Sequence, residues 1–137
     1  MGAWGTKVFE SDASFEFLED FIDGKQNIKI LKEAFDEVLN ETDEIDTVLG
    51  ENALAAAEII AIAKGNSYAG FDSPTFEKVD IEKLKHKIND TLIASAIKAI
   101  DIVKKAKKSE LRELWEDTDD YDEWKADLEN LKTRLKI

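Results

Sequence analysis

Residues 53–63 read Ala53-Leu54-Ala55-Ala56-Ala57-Glu58-Ile59-Ile60-Ala61-Ile62-Ala63, an unbroken apolar run apart from one acid. A helix of this length is ~16 Å long, too short to span a bilayer and long enough to cross a small domain. A helix that is apolar on every side has to be covered on every side. The stretch therefore predicts the central helix of a helical domain, with Glu58 as the residue needing an explanation.

The surrounding sequence supplies the covering helices. Ser11 or Asp12 can cap a first helix, in which Phe15, Leu18, Phe21 and Ile22 share one face, and Gly24 stops it. Asn27 caps a second, with Ile28, Leu31, Phe35, Val38 and Leu39 as its stripe. Residues 40–50 form a polar connection in which Ile45, Val48 and Leu49 make a short turn against the core. Gly65 is placed to take the left-handed conformation that ends the central helix.

Residues 65–80 form a long loop with the only proline and three aromatics, Tyr68, Phe71 and Phe76, which serve to pin it to the core. Ile81, Leu84 and Ile88 predict a short helix. Leu92, Ile93, Ala96, Ile97, Ile100 and Val103 predict an amphipathic one, running out through lysines that suit the negative end of its dipole. Ser109 caps a short helix bearing Leu111, Leu114 and Trp115. Asp120, with Glu123 three residues on, opens the last helix, whose seam is Tyr121, Trp124, Leu128, Leu131 and Leu135. Residues 1–12 are not helical in character: Gly2 and Gly5 flank Ala3-Trp4, turning the backbone so that Trp4 and Phe9 reach a core. The expectation is an all-α, single-domain bundle over 1–137, with about six helices around the central one and a non-helical N-terminal Trp-Gly segment.

Charge narrows the function. The net charge is −12, with residues 1–50 at −9, 51–108 at +2 and 109–137 at −5. Phosphate backbones repel such a surface, so no nucleic acid is expected; the fitting partner is a basic protein. There are no cysteines, and no basic, apolar leader precedes Trp4, which points to a cytoplasmic protein without a membrane span. The single histidine, His86, has Glu82 four residues before it instead of the Glu-x-x-His spacing of a di-iron bundle. The acids of 117–123 lack the turning glycine and terminal Glu of a calcium loop. Neither a nucleophile–histidine pair nor a phosphate-binding glycine loop can be assembled. No metal, cofactor or catalytic residue is expected.

Glu58 then requires a partner, because an unpaired buried carboxylate costs several kcal/mol. The chain has 17 lysines and two arginines, Arg112 and Arg134. A guanidinium fork matches a carboxylate best, and Arg112 stands beside Leu111, Leu114 and Trp115. The expected bond is from Arg112, from the Trp4 indole, or from backbone N–H groups of residues 2–6. It makes Glu58 a clamp joining three segments.

Met1-Gly2-Ala3-Trp4-Gly5-Thr6 with Phe9, the 53–61 block, Ser109-Glu110-Leu111-Arg112-Glu113-Leu114-Trp115-Glu116, and the closing Tyr121, Trp124 and Leu128 together resemble the bacterial family called domain of unknown function 4259. Lys7 stands where that family usually has Gly, and Glu10-Ser11-Asp12 replaces its D-N-D. The resemblance implies a fold and a joint set of signature residues, Trp4, Gly5, Phe9, Asp12, Glu58, Arg112 and Trp115, without an activity. The leading expectation is an uncharacterised, non-enzymatic interaction or accessory domain. An immunity-like protein neutralising a basic toxin is a narrower form of it, and a small carboxylate-dependent hydrolase or transferase is the rival class.

Overall fold

The computed structural model describes Ala3 and residues 5–137. Seven α-helices lie within them: α1 Asp12–Asp23, α2 Ile28–Leu39, α3 Thr47–Ala63, α4 Ile81–Lys85, α5 Asp90–Lys105, α6 Glu110–Glu116 and α7 Tyr121–Lys136. A 3-10 turn occupies Pro74–Lys78, and among the described residues the only β pairing is two isolated bridges, Ala3 with Ser11 and Ile45 with Ser109. The fold is an all-α, single helical domain.

The apolar run is the axis of the molecule. α3 touches all six other helices, and every residue from Ala53 to Ala63 is buried. Its alanines carry no side chain beyond Cβ, so neighbouring helices can approach closely, while Leu54, Ile59 and Ile60 fill the remaining space. The helix is longer than its apolar core. Asp46 accepts the Leu49 N–H and starts α3 at Thr47, so Val48 and Leu49 belong to its first turn and are not a separate turn. Ile45 alone of that trio is buried, exchanging backbone hydrogen bonds with Lys108 and Glu110 on the α5–α6 connection.

The termini of α3 and α1 share one chemistry. Gly65 N–H donates to Ile62 and Asn66 N–H to Ala61, a Schellman closure with Gly65 at φ 87°. In α1 the same pattern, Lys25 to Ile22 and Gln26 to Phe21, puts the left-handed angle on Lys25 (φ 63°) and not on Gly24. Ser11, Asn27 and Ser109 cap their helices, but Asp120 makes no side-chain cap on α7. The α7 seam is buried from Trp124 to Leu135, and Lys104–Glu129 (2.5 Å) and Lys132–Asp101 (2.7 Å) bridge it to α5.

Residues 65–80 are held by aromatic contacts. Phe71 lies 6.3 Å from Phe9 and 5.6 Å from Phe76, and Tyr68 5.2 Å from Phe71, centroid to centroid. Phe9 and Phe76 are buried, whereas Tyr68 and Phe71 are half-buried. The loop and the N-terminal segment are thus one packed layer beside the C-terminal half of α3.

Candidate functional site

Glu58 is fully buried on α3, and Arg134 of α7 holds both its oxygens, Nη1 to Oε2 at 2.5 Å and Nη2 to Oε1 at 3.0 Å. The guanidinium is satisfied further by Asn130 Oδ1 (2.7 Å) and the Asn66 carbonyl (3.1 Å), and it lies over the Tyr68 ring at 5.6 Å. Asn66 Nδ2 donates back to the Arg134 carbonyl (3.0 Å), and Lys64 Nζ to the Leu135 carbonyl (2.5 Å). Burial pushes the Glu58 carboxyl above its ordinary pKa and Arg134 pulls it down. The fork accommodates a carboxylate on both teeth, so the arrangement is an ion pair.

The expected partner, Arg112, is elsewhere. Its Nε donates to the Ala106 carbonyl (3.0 Å) and its fork pairs with Glu116, closing the α5–α6 corner. Among the described residues no backbone N–H of the N-terminal segment reaches Glu58, and Gly2 lies outside them. Trp4 lies outside the described residues. The physical reason is the direction of α7, whose last turns run beside the C-terminal half of α3 and bring Arg134 opposite Glu58.

Asp127, about two turns before Arg134, fastens the N-terminal segment. Lys7 Nζ reaches its Oδ1 at 2.6 Å and the Thr6 hydroxyl donates to its Oδ2. Lys7 does not have a positive φ, and its side chain serves as an anchor on Asp127. A Cβ at Gly5 would first meet the Glu10 carboxylate, the far end of a side chain that can move aside. Phe9 is buried in the aromatic layer, and Asp12 opens α1 exposed to solvent.

A second buried acid, Glu51, went unrecognised in the sequence. It lies two turns before Glu58, and among the described residues its one hydrogen-bonding contact is Ser11 Oγ at 2.9 Å from Oε2. Burial raises its pKa to about 7, with the Ser11 hydroxyl pulling the other way. Beside it Trp115 stacks on Trp124 at 6.0 Å, with an indole N–H that has no partner among the described residues. Glu51, Trp115, Trp124 and Ser11 line a small cavity of about 10 Å³, room for one water molecule.

Solvent meets this region at an open cleft of about 380 Å³ lined by Gly5, Thr6, Lys7, Glu10, Tyr68 and, from the start of α7, Asp120 and Glu123. A neighbouring hollow of about 300 Å³ continues it past Phe9, Phe71 and Asp72. Burial and the charges of Glu58 and Glu10 push the Tyr68 hydroxyl up to about 12, so it stays a neutral donor. Of the signature residues, Gly5 and Phe9 border this cleft, Glu58 lies behind it, Trp115 faces the cavity, and Arg112 and Asp12 stand apart. Among the described residues no group of three or more His, Asp or Glu side chains is arranged to hold a metal ion, and no helix is long and apolar enough to cross a membrane.

No curated protein and no solved structure matches the chain. The profile of one family, described as a domain of unknown function, matches residues 2–127. That stretch contains Lys7, Glu51, Glu58, Trp115 and Asp127 but stops before Arg134. With nearly its whole length matched, the chain belongs to the DUF4259 family.

Proposed function

We propose that this chain is a non-enzymatic protein-interaction domain whose acidic cleft receives a basic segment of a partner protein. The observation that carries the reading is the division of labour among the acids. Glu58 is closed from solvent with both oxygens held, while Glu10, Asp72, Asp120 and Glu123 line open hollows beside the half-buried rings of Tyr68 and Phe71. Among the described residues Lys7 is the one base on the cleft wall, and Asp127 occupies it. Carboxylates around an aromatic floor suit Lys or Arg side chains, through charge and through cation–π contact. The net charge of −12 would speed the encounter with such a partner.

The rival, a carboxylate-dependent enzyme, has Glu51 in its favour as an acid titrating near neutrality. Its cavity of about 10 Å³ has no room for a substrate, which favours the interaction reading. An immunity-like role, with a basic toxin as the partner, would use the same cleft. The test is a titration with a short oligo-arginine peptide, followed by amide chemical shifts. Changes centred on residues 5–10, 68–72 and 120–123 are expected; changes spread evenly over all acidic helices would refute the cleft.

A further inference from the structure

Three oxygen–oxygen contacts run in series beneath the N-terminal segment. Glu51 Oε2 is 2.9 Å from Ser11 Oγ, Ser11 Oγ is 2.6 Å from Ser14 Oγ, and Ser14 Oγ meets the carbonyl oxygen of Val8. All four residues are buried. A hydrogen bond needs one hydrogen between its two oxygens, so this series needs three. The two hydroxyls bring one each, and the Val8 carbonyl brings none. The Ser14 N–H approaches Ser11 Oγ (3.3 Å) from the backbone and fills none of the three gaps. Only the Glu51 carboxyl can supply the third hydrogen.

We infer that Glu51 is held as a neutral carboxylic acid, donating to Ser11, which donates to Ser14, which donates to Val8, and that this one-way chain is a proton-operated latch fastening the N-terminal segment to α3. Loss of the proton reverses the first bond, Ser11 donating to the carboxylate. Ser14 then cannot serve both Ser11 and Val8, and one close oxygen pair is left without a hydrogen.

The charges around Glu51 agree. From the N-terminal segment, Lys7 is engaged by Asp127 and Glu10 is turned to the Lys7 N–H. α1 contributes Ser14 and presents Asp12 to solvent, and α6 and α7 face the cavity with Trp115, Trp124 and Leu128. Val103 of α5 and Leu111 of α6 lie near Gly50, and the charged Lys32, Glu33 and Glu37 of α2 are exposed. On α3 itself Glu58 is committed to Arg134. Among the described residues, burial and the Ser11 hydroxyl are the influences on the carboxyl, with no cation among them. The latch holds the segment that forms one wall of the cleft, yet it does not depend on what the cleft binds.

The test follows the side-chain carboxyl carbon of Glu51 by NMR from acid to alkaline pH, beside hydrogen exchange of residues 5–14. Glu51 should titrate apart from the exposed glutamates, near neutrality, and protection of the segment should fall about tenfold, beyond the intrinsic pH effect, once it ionises. In Glu51→Gln the amide N–H takes over the donation to Ser11, and the fall should vanish. A Glu51 carboxyl that titrates with the exposed glutamates overturns the proposal, as does an equal loss of protection in the wild type and Glu51→Gln. Should the variant not fold, the carboxyl titration of the wild type decides alone.

Discussion

Arg134→Met removes the guanidinium that holds Glu58 and leaves a side chain of similar length to fill its place. Glu58 is fully buried and has no other hydrogen-bond donor among the described residues, so it must either remain an unpaired buried anion or take up a proton. Breaking a buried pair from one side costs about 3–5 kcal/mol. Glu58→Gln should cost less, about 2 kcal/mol, because its amide oxygen still accepts one N–H and Asn130 and the Asn66 carbonyl still serve the cation. The double variant Glu58→Gln with Arg134→Met removes both charges and should be more stable than the sum of the two single losses predicts, a coupling of ~2 kcal/mol. The deficit of Arg134→Met also carries a pH signature. Its Glu58 has a folded pKa raised further above the unfolded value, so stability is full below the unfolded pKa and is lost as pH rises through the folded one. The deficit should therefore be larger at pH 8 than at pH 5. Urea unfolding followed by tryptophan emission, with constant m-values, measures all four proteins. Additive single losses, or losses under about 1 kcal/mol, would refute the clamp.

The same linkage applies to Glu51. A carboxyl raised from 4.5 to about 7 loses about 3 kcal/mol of folding stability as pH climbs from its unfolded to its folded pKa. Glu51→Gln should thus be more stable than the wild type at pH 8 and nearly equal at pH 5, measured by denaturant midpoints; parallel pH profiles would refute this. Asp127→Ala releases both Lys7 and Thr6. The pair is partly exposed, so its loss should cost only about 1 kcal/mol, while proteolytic cleavage within residues 5–10 accelerates; unchanged cleavage would contradict the anchor. Asp46→Ala removes a cap and should cost about 1 kcal/mol, whereas Asp120→Ala, with no cap bond to lose, should change stability by less than ~0.5 kcal/mol. Equal losses would contradict the difference between these two helix starts.

These sites divide into what a linear pattern can carry and what only three-dimensional contact decides. The apolar run around Glu58 was legible because an all-round hydrophobic helix has a single physical solution, and Ser11, Asn27 and Ser109 were legible as caps because capping is local. The partner of Glu58 was not. Arg112 and Arg134 each follow a buried leucine by one or three positions, and their helices' directions, invisible in periodicity, chose Arg134 across 76 residues of sequence. Glu51 was missed because it precedes the apolar run and is buried by segments distant in sequence, the N-terminal segment and Trp115 and Trp124. Ser14 likewise gives no linear sign of its contact with Val8. The family signature pointed to Gly5, Phe9 and Trp115, and the cleft and cavity contain them. Nothing in the linear pattern marks Lys7 and Asp127 as a pair, since they stand 120 residues apart.

The acidic cleft itself is tested most directly by the affinity of an oligo-arginine peptide for two variants of equal charge. One is Glu10→Gln with Asp120→Asn and Glu123→Gln in the cleft; the other is Glu33→Gln with Glu37→Gln on α2 and Glu82→Gln on α4, all exposed. Calorimetry at low salt should show the cleft variant weakened roughly tenfold or more and the second close to the wild type. Equal weakening of both would mean that net charge alone attracts the peptide, and the cleft would not be its site.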